Sequence, residues 1–411
     1  MMRFLSLLIG LMMTIMAEAQ TLDGTWKGIL QAGPQQLTLV IHINAQQQTA
    51  TLDVVEQSAF QIPLTVRHLS EDSINVVNTQ MVMIYEGKLS DGKLLGTFRQ
   101  RLVALKLDLE PGDIILKRPQ EPSAPFPYST EEVTFCNAQA DVKLAGTLTY
   151  PVGYRKGKKV PVVLMVTGSG PENRDEEIFR HKPFLVLADW LARQGIASLR
   201  YDDRGVGEST GTYEGATTMD FAEDAKAGIS FLKDRKEFSK VGILGHSEGG
   251  AIGYMLGSEK IPDFIVSLAG PAYRIDTMMM VQLNLLGKVQ GAKTDMAQTP
   301  EDAKRLLMRG KKEDKWLETF LTLDMTEYVS KTRCPVLALT GENDLNVPVS
   351  VNNPALEKWL PHNKRNVIKV YSGLSHLFHH NPTGNPTLAA SIEETIAQEV
   401  LEDICDWIKR L

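Results

Sequence analysis

The stretch that most limits the fold is Lys240–Ser258, KVGILGHSEGGAIGYMLGS. An apolar, strand-forming run ends at His246, a helix-forming run begins at Glu248, and Ser247 alone separates them. A sharp strand-to-helix turn joins two such elements through one residue, and it holds that residue at a strained φ/ψ. Side chains two positions before and after it would collide with the adjoining strand and helix, and Gly245 and Gly249 stand there. The first turn of the helix places free N–H groups and the positive end of its dipole beneath the serine oxygen. On its own the pattern also fits a glycine-rich loop that merely contains a serine, so the rest of the chain has to supply partners.

From Glu131 onward the chain alternates strands and helices. A hairpin, EEVTFCN with KLAGTLTYP, is followed by PVVLMVTG, a helix in RHKPFLVLADWLARQG, IASLRYD and the amphipathic TMDFAEDAKAGISFLKDR. After the serine turn come DFIVSLAG, CPVLALTG and NVIKVYSG, with SIEETIAQEVLEDICDWIKRL as a closing helix. Continuous apolar strands between helices predict an α/β fold with a mostly parallel sheet covered on both faces. Residues 272–330 interrupt the alternation with two to four helices, which predicts a cap over the C-terminal edge of the sheet. Met278-Met279-Met280 lies in this cap, and such a run more often serves helix packing than a flexible apolar pocket.

Upstream, RPQEPSAPFPYS (Arg118 to Ser129) reads as a proline-rich linker, set at 119–130. Residues 20–118 read as short β runs with an Asp91-Gly92 hairpin turn, hence a small antiparallel barrel or sandwich. LDGTWKGIL resembles the opening strand of lipocalin-like barrels. Residues 1–19 carry Arg3, an apolar run and Ala17-Glu18-Ala19, the pattern of a secretory signal peptide; export to the periplasm or beyond follows, with no integral membrane segment after its removal. A net charge of −6 without a basic tract excludes nucleic acid as a partner. Three scattered cysteines form no disulfide framework. The absence of CxxC, HExxH and P-loop patterns leaves no case for a metal or a nucleotide cofactor.

A serine nucleophile needs a base, and the base needs an orienting acid. Asp344 follows the strand CPVLALTG and is preferred to Glu342, which sits too close to the strand end. His376 follows VIKVY and is preferred to His379 and His380. The three histidines as a metal set lack an evident carboxylate partner. The oxyanion donors expected are the N–H of Glu248 and that of Ser169, with Gly168 beside it, in the loop Thr167–Pro171.

The segments GHSEGG, TGSGP, YDDRGVGES, GENDLNVP and GLSHLF, in this order over residues 131–411, resemble the α/β-hydrolase superfamily. The likeness is greatest to two-domain bacterial carboxylesterases with an N-terminal β domain, relatives of prolyl-oligopeptidase-type catalytic domains. It implies serine ester hydrolysis without a cofactor, on a small-molecule ester of glycan, lipid or other origin. Many such esterases carry histidine where this chain has Thr167, so that loop must be braced differently. Asp203 and Arg204 are expected to brace the loops around the site. A peptidase using the same triad and a non-catalytic binding protein on the same fold are the two rival readings.

Overall fold

The computed structural model describes residues 22–33, 35–311 and 313–411. The expected signal peptide lies outside the described residues. The chain forms two compact units that divide between Ile115 and Leu116.

The first unit is a single antiparallel sheet. Its strands are β1 (Gly24–Ala32), β2 (Gln35–Asn44), β3 (Thr49–Val54), β4 (Ala59–Leu69), β5 (Ser73–Asn78), β6 (Met83–Ser90), β7 (Lys93–Gln100), β8 (Val103–Lys106) and β9 (Glu110–Pro111). They lie in the order β8-β7-β6-β5-β4-β3-β2-β1-β9. Beyond β8 the chain keeps to β7, with Leu94 and Leu109 exchanging N–H···O bonds of 2.8 Å. Glu110 and Pro111 then step across to pair with Lys27 and Trp26 on β1. One segment thus holds both edges, and the sheet curls into a barrel. Gly28 permits the step, because a Cβ there would lie 2.3 Å from the Asp108 carbonyl oxygen. Asp91 and Gly92, at φ 48° and 77°, make the tight β6–β7 turn. Side chains alternate along each strand, and the inward set builds a core around Trp26, Ile41, Leu52, Tyr85 and Leu94.

The second unit opens with a hairpin, β10 (Thr130–Asn137) and β11 (Val142–Thr149). There follow β12 (Val160–Val166), α1 (Pro183–Arg193), β13 (Ala197–Tyr201), α2 (Thr218–Asp234), β14 (Phe238–His246) and α3 (Glu248–Ser258). After β15 (Ile265–Leu268) come four helices, α4 (Ile275–Val289), α5 (Pro300–Leu307), α6 (Lys315–Phe320) and α7 (Met325–Val329). The chain closes with β16 (Val336–Gly341), α8 (Val349–Trp359), β17 (Val367–Tyr371) and α9 (Gln398–Lys409). The sheet order is β10-β11-β13-β12-β14-β15-β16-β17, parallel from β13 to β17. Its strands are buried throughout their centre, as a sheet covered on both faces requires. One core packs α2, α3 and the inserted helices against one face; the other packs α1 and α9 against the opposite face.

One expectation is corrected, and one gains detail. The closing helix starts at Gln398, not near Ser391, and residues 386–391 form a 3₁₀ turn. Thr395 and Ile396 are spent otherwise: their N–H groups donate to Gln120 Oε1, at 2.6 and 3.1 Å. The proline-rich stretch is irregular, yet it is no free spacer. The Arg118 guanidinium donates to the carbonyls of Phe179, Arg180, Ala390 and Ile392 at 2.8–3.3 Å.

Candidate active site

Strand β14 ends at His246, and α3 begins at Glu248. Between them Ser247 adopts φ 52°, ψ −117°, a region that L-residues rarely occupy. Its N–H is held by the Leu268 carbonyl at 2.8 Å. Both flanking glycines are sterically required. A Cβ on Gly245 would lie 2.1 Å from the Gly249 carbonyl oxygen, and one on Gly249 would lie 2.1 Å from the Val166 oxygen. Glu248 opens α3, so its N–H belongs to the helix's first turn, which has no intrahelical acceptor.

Asp344 and His376 stand just beyond β16 and β17, two strands of the same parallel sheet. His376 Nδ1 lies 2.8 Å from Asp344 Oδ2. The other Asp344 oxygen accepts the N–H groups of Asn346 and Val347, both at 2.8 Å, and the carboxylate side chain is wholly buried. Asp344 is therefore fixed by its own turn and fixes the imidazole in turn. Ser247, His376, Gly168 and Ser169 line one pocket of about 190 Å³. Of the alternatives, Glu342 accepts from Ser372, away from the imidazole. His380 pairs with Glu394. His379 is buried, and burial lowers its imidazole to about 3. The three histidines do not converge, and among the described residues no cluster suited to a metal ion occurs.

The loop Thr167–Gly170 is braced by carboxylates. Thr167 Oγ1 donates to Asp203 Oδ1 at 3.0 Å, and the N–H of Glu172 donates to Asp203 Oδ2 at 3.0 Å. The Gly168 N–H donates to Glu176 Oε1 at 3.1 Å, which commits that amide and leaves the pocket-facing role on this loop to its neighbour Ser169. Glu176 also accepts from His246 Nδ1 at 2.8 Å, while His246 Nε2 meets the His376 carbonyl at 3.1 Å. Burial alone would lower the His246 imidazole, but the Glu176 carboxylate outweighs it and the net shift is upward. Burial pushes the Asp203 carboxyl up to about 7. Arg204 turns the other way, to a bidentate pair with Asp224 on α2 at 2.7 and 2.8 Å.

Two features escape sequence reasoning, and a third decides an alternative that the sequence left open. The Glu248 carboxylate is buried and accepts from Thr218 Oγ1 at 2.6 Å and from the Trp316 indole N–H at 3.0 Å. Burial raises its pKa, and hydrogen bonds from Thr218, Trp316 and Ser169 oppose that rise. Met278, which is buried, and Met279, which packs against the core, both line the pocket, beside Ile275, Trp316 and Phe320. Glu172 lines the pocket too; burial, then the neighbouring Glu176 and Asp203, push its carboxyl well above the usual range. No periodicity marks residues 172–176, which become functional only through what folds over them.

A mostly parallel sheet with helices on both faces, a serine on a strained strand-to-helix turn and a carboxylate-bound histidine lining the same pocket are the arrangement of the α/β-hydrolase fold. The family model described as "Serine aminopeptidase, S33" matches residues 182–383. Esterase EstD of Thermotoga maritima is 26% identical over 280 residues, 64% of this chain and 65% of its own length, so the match spans somewhat less than two thirds of that relative. Among solved structures, Est1E from Butyrivibrio proteoclasticus is similar at 17% identity and a TM-score of 0.45, covering 68% of this chain and 99% of that one. The Pyrococcus furiosus esterase Pf2001 is similar at 19% identity and a TM-score of 0.46, covering 73% of this chain and 98% of that one.

Proposed function

We propose that the protein is a serine carboxylic-ester hydrolase acting through an acyl-enzyme on small to medium acyl esters. The observation that carries this reading is the His376–Asp344 pair at 2.8 Å, with His376 in one pocket with Ser247 and the Ser169 loop. With Nδ1 donating to Asp344, Nε2 is the basic nitrogen. It takes the Ser247 proton as Oγ attacks the ester carbonyl, and the Glu248 and Ser169 N–H groups receive the oxyanion. His376 then protonates the leaving alcohol. Water, deprotonated by His376, releases the acid and restores Ser247. The Met278–Met279 wall and the narrow volume favour a compact acyl group. The N-terminal pattern supports export, and N-terminal sequencing of the protein from a periplasmic fraction tests that.

Ser247→Ala should fold normally and lose about 10⁴-fold or more in kcat on p-nitrophenyl acyl esters. Turnover near that of the unsubstituted enzyme would refute the assignment. Covalent labelling of Ser247 by an organophosphonate, read by intact mass, separates the enzyme from a binding protein on the same fold. The family description and the pocket carboxylate of Glu172 support one second reading, an aminopeptidase in which that carboxylate meets the substrate's amine. Acyl esters assayed against aminoacyl amides distinguish the two.

A further inference from the structure

The barrel of the first unit is filled at one end and open at the other. Trp26, Ile41, Tyr85 and Leu94 are nearly or wholly inaccessible and close the interior. One layer further along the strands the filling stops. A cavity of about 510 Å³ lies there, walled by Leu30, Leu39, Leu52, Val54, Phe98 and Leu105. That volume falls within the roughly 300–1,000 Å³ of small-molecule sites, and closed barrels of this size can hold one small ligand. Among the described residues, Gln57, Gln100 and Arg101 are the polar members of the lining, and none is a carboxylate.

The rim is unusual. Leu102 is fully exposed, and Val82 and Val103 are more than half exposed. Val82 sits at φ 51° and Arg101 at φ 53°, and the Arg101 N–H donates to the Val82 carbonyl at 3.0 Å. A β-branched residue takes a left-handed conformation at a cost, and such strain gathers at functional positions. The two hairpin tips are thus tied together, and they hold a cation at the mouth of an apolar well.

We propose that this barrel is a binding site for a single-chain aliphatic carboxylate of medium length. The chain lies in the well, and the head group meets Arg101 with Gln57 and Gln100 beside it. From Leu37 at the rim to the Ile41 layer is four residues, about 13 Å of strand, which suits a medium rather than a long chain. A guanidinium recognises a carboxylate through paired, charge-assisted bonds, and a lining without acids leaves it uncontested. The binding does not rest on the catalytic reading.

The test uses the full chain carrying Ser247→Ala, titrated calorimetrically with sodium decanoate and with decan-1-ol. One decanoate per chain is expected. Arg101→Gln should weaken decanoate about tenfold and leave decan-1-ol unchanged, and Leu37→Trp should weaken both. A decanoate analogue with a terminal diazirine, read by peptide mapping, should label residues 30–105. No decanoate binding, equal loss of both ligands in Arg101→Gln, or labelling confined to the Met278–Phe320 peptides would overturn the proposal. The labelling outcome stands even if a variant fails to fold.

Discussion

Asp203 shows how a single residue shapes a pocket-lining loop from behind it. Its two oxygens hold Thr167 and the Glu172 amide, so it sets the path of the loop that carries Ser169. Burial pushes its carboxyl up to about 7. The folded chain therefore binds this proton more tightly than the unfolded chain does. The associated stability is complete below about pH 4 and is lost as pH rises through about 7. Asp203→Asn keeps the shape and removes the titration. Between pH 5 and pH 8 the parent should lose about 2–3 kcal/mol relative to the variant; urea unfolding at both pH values measures it, and an unchanged difference would contradict it. That Ser247, Asp344 and His376 each stand just past a strand of one sheet was legible, because the strand ends and turns carry a sequence pattern. Glu172 and Glu176 were not, because a carboxylate in an irregular loop carries no sign of what will bury it. His246 stood in plain view beside the serine, yet its partner Glu176 lies 70 residues away.

At the level of elements, the inserted helices could be located from the sequence, as two to four where the structure has four, but their connection to the Ser247 turn could not be read. Helix α6 is only six residues long, capped by Asp314 accepting from the Leu317 N–H at 2.9 Å. So short a helix has little stability of its own and depends on tertiary contacts. Trp316 supplies them: it stacks on Phe320 at 5.1 Å between ring centroids and donates its indole N–H to Glu248. The glutamate whose backbone opens α3 thereby holds the pocket wall with its side chain. Trp316→Phe keeps the stack and removes the donor. It should cost about 1–2 kcal/mol of stability, because a buried acceptor loses one of its partners. On short acyl esters it should raise KM several-fold while kcat changes less. A fall in kcat at constant KM would instead place the indole's effect on the transition state.

For the whole molecule, the informative segment is the proline-rich stretch. Several prolines within a dozen residues do prevent regular structure, but composition cannot show that Arg118 and Gln120 find backbone partners some 60 to 276 residues further along the chain. Those partners also explain why α9 begins late: the residues before it, from Ala390 to Ile396, give their backbone groups to Arg118 and Gln120 in place of a further helical turn. The second unit therefore extends upstream of its first strand, from Leu116 rather than from Thr130. A fragment spanning 116–411 contains both cores of the second unit and every anchor of the Ser247 turn, and it should fold cooperatively. A fragment spanning 130–411 keeps the same cores but leaves the carbonyls of Phe179, Arg180, Ala390 and Ile392 without the guanidinium. At about 1.5–3 kcal/mol for a buried charged hydrogen bond, discounted because Arg118 is only half-buried, the loss should be about 3 kcal/mol. That corresponds to a melting point lower by about 5 °C in a unit of this size. Arg118→Ala in the longer fragment should reproduce most of the difference, measured by calorimetry. Equal melting points for the two fragments would show that the proline-rich stretch is a spacer after all.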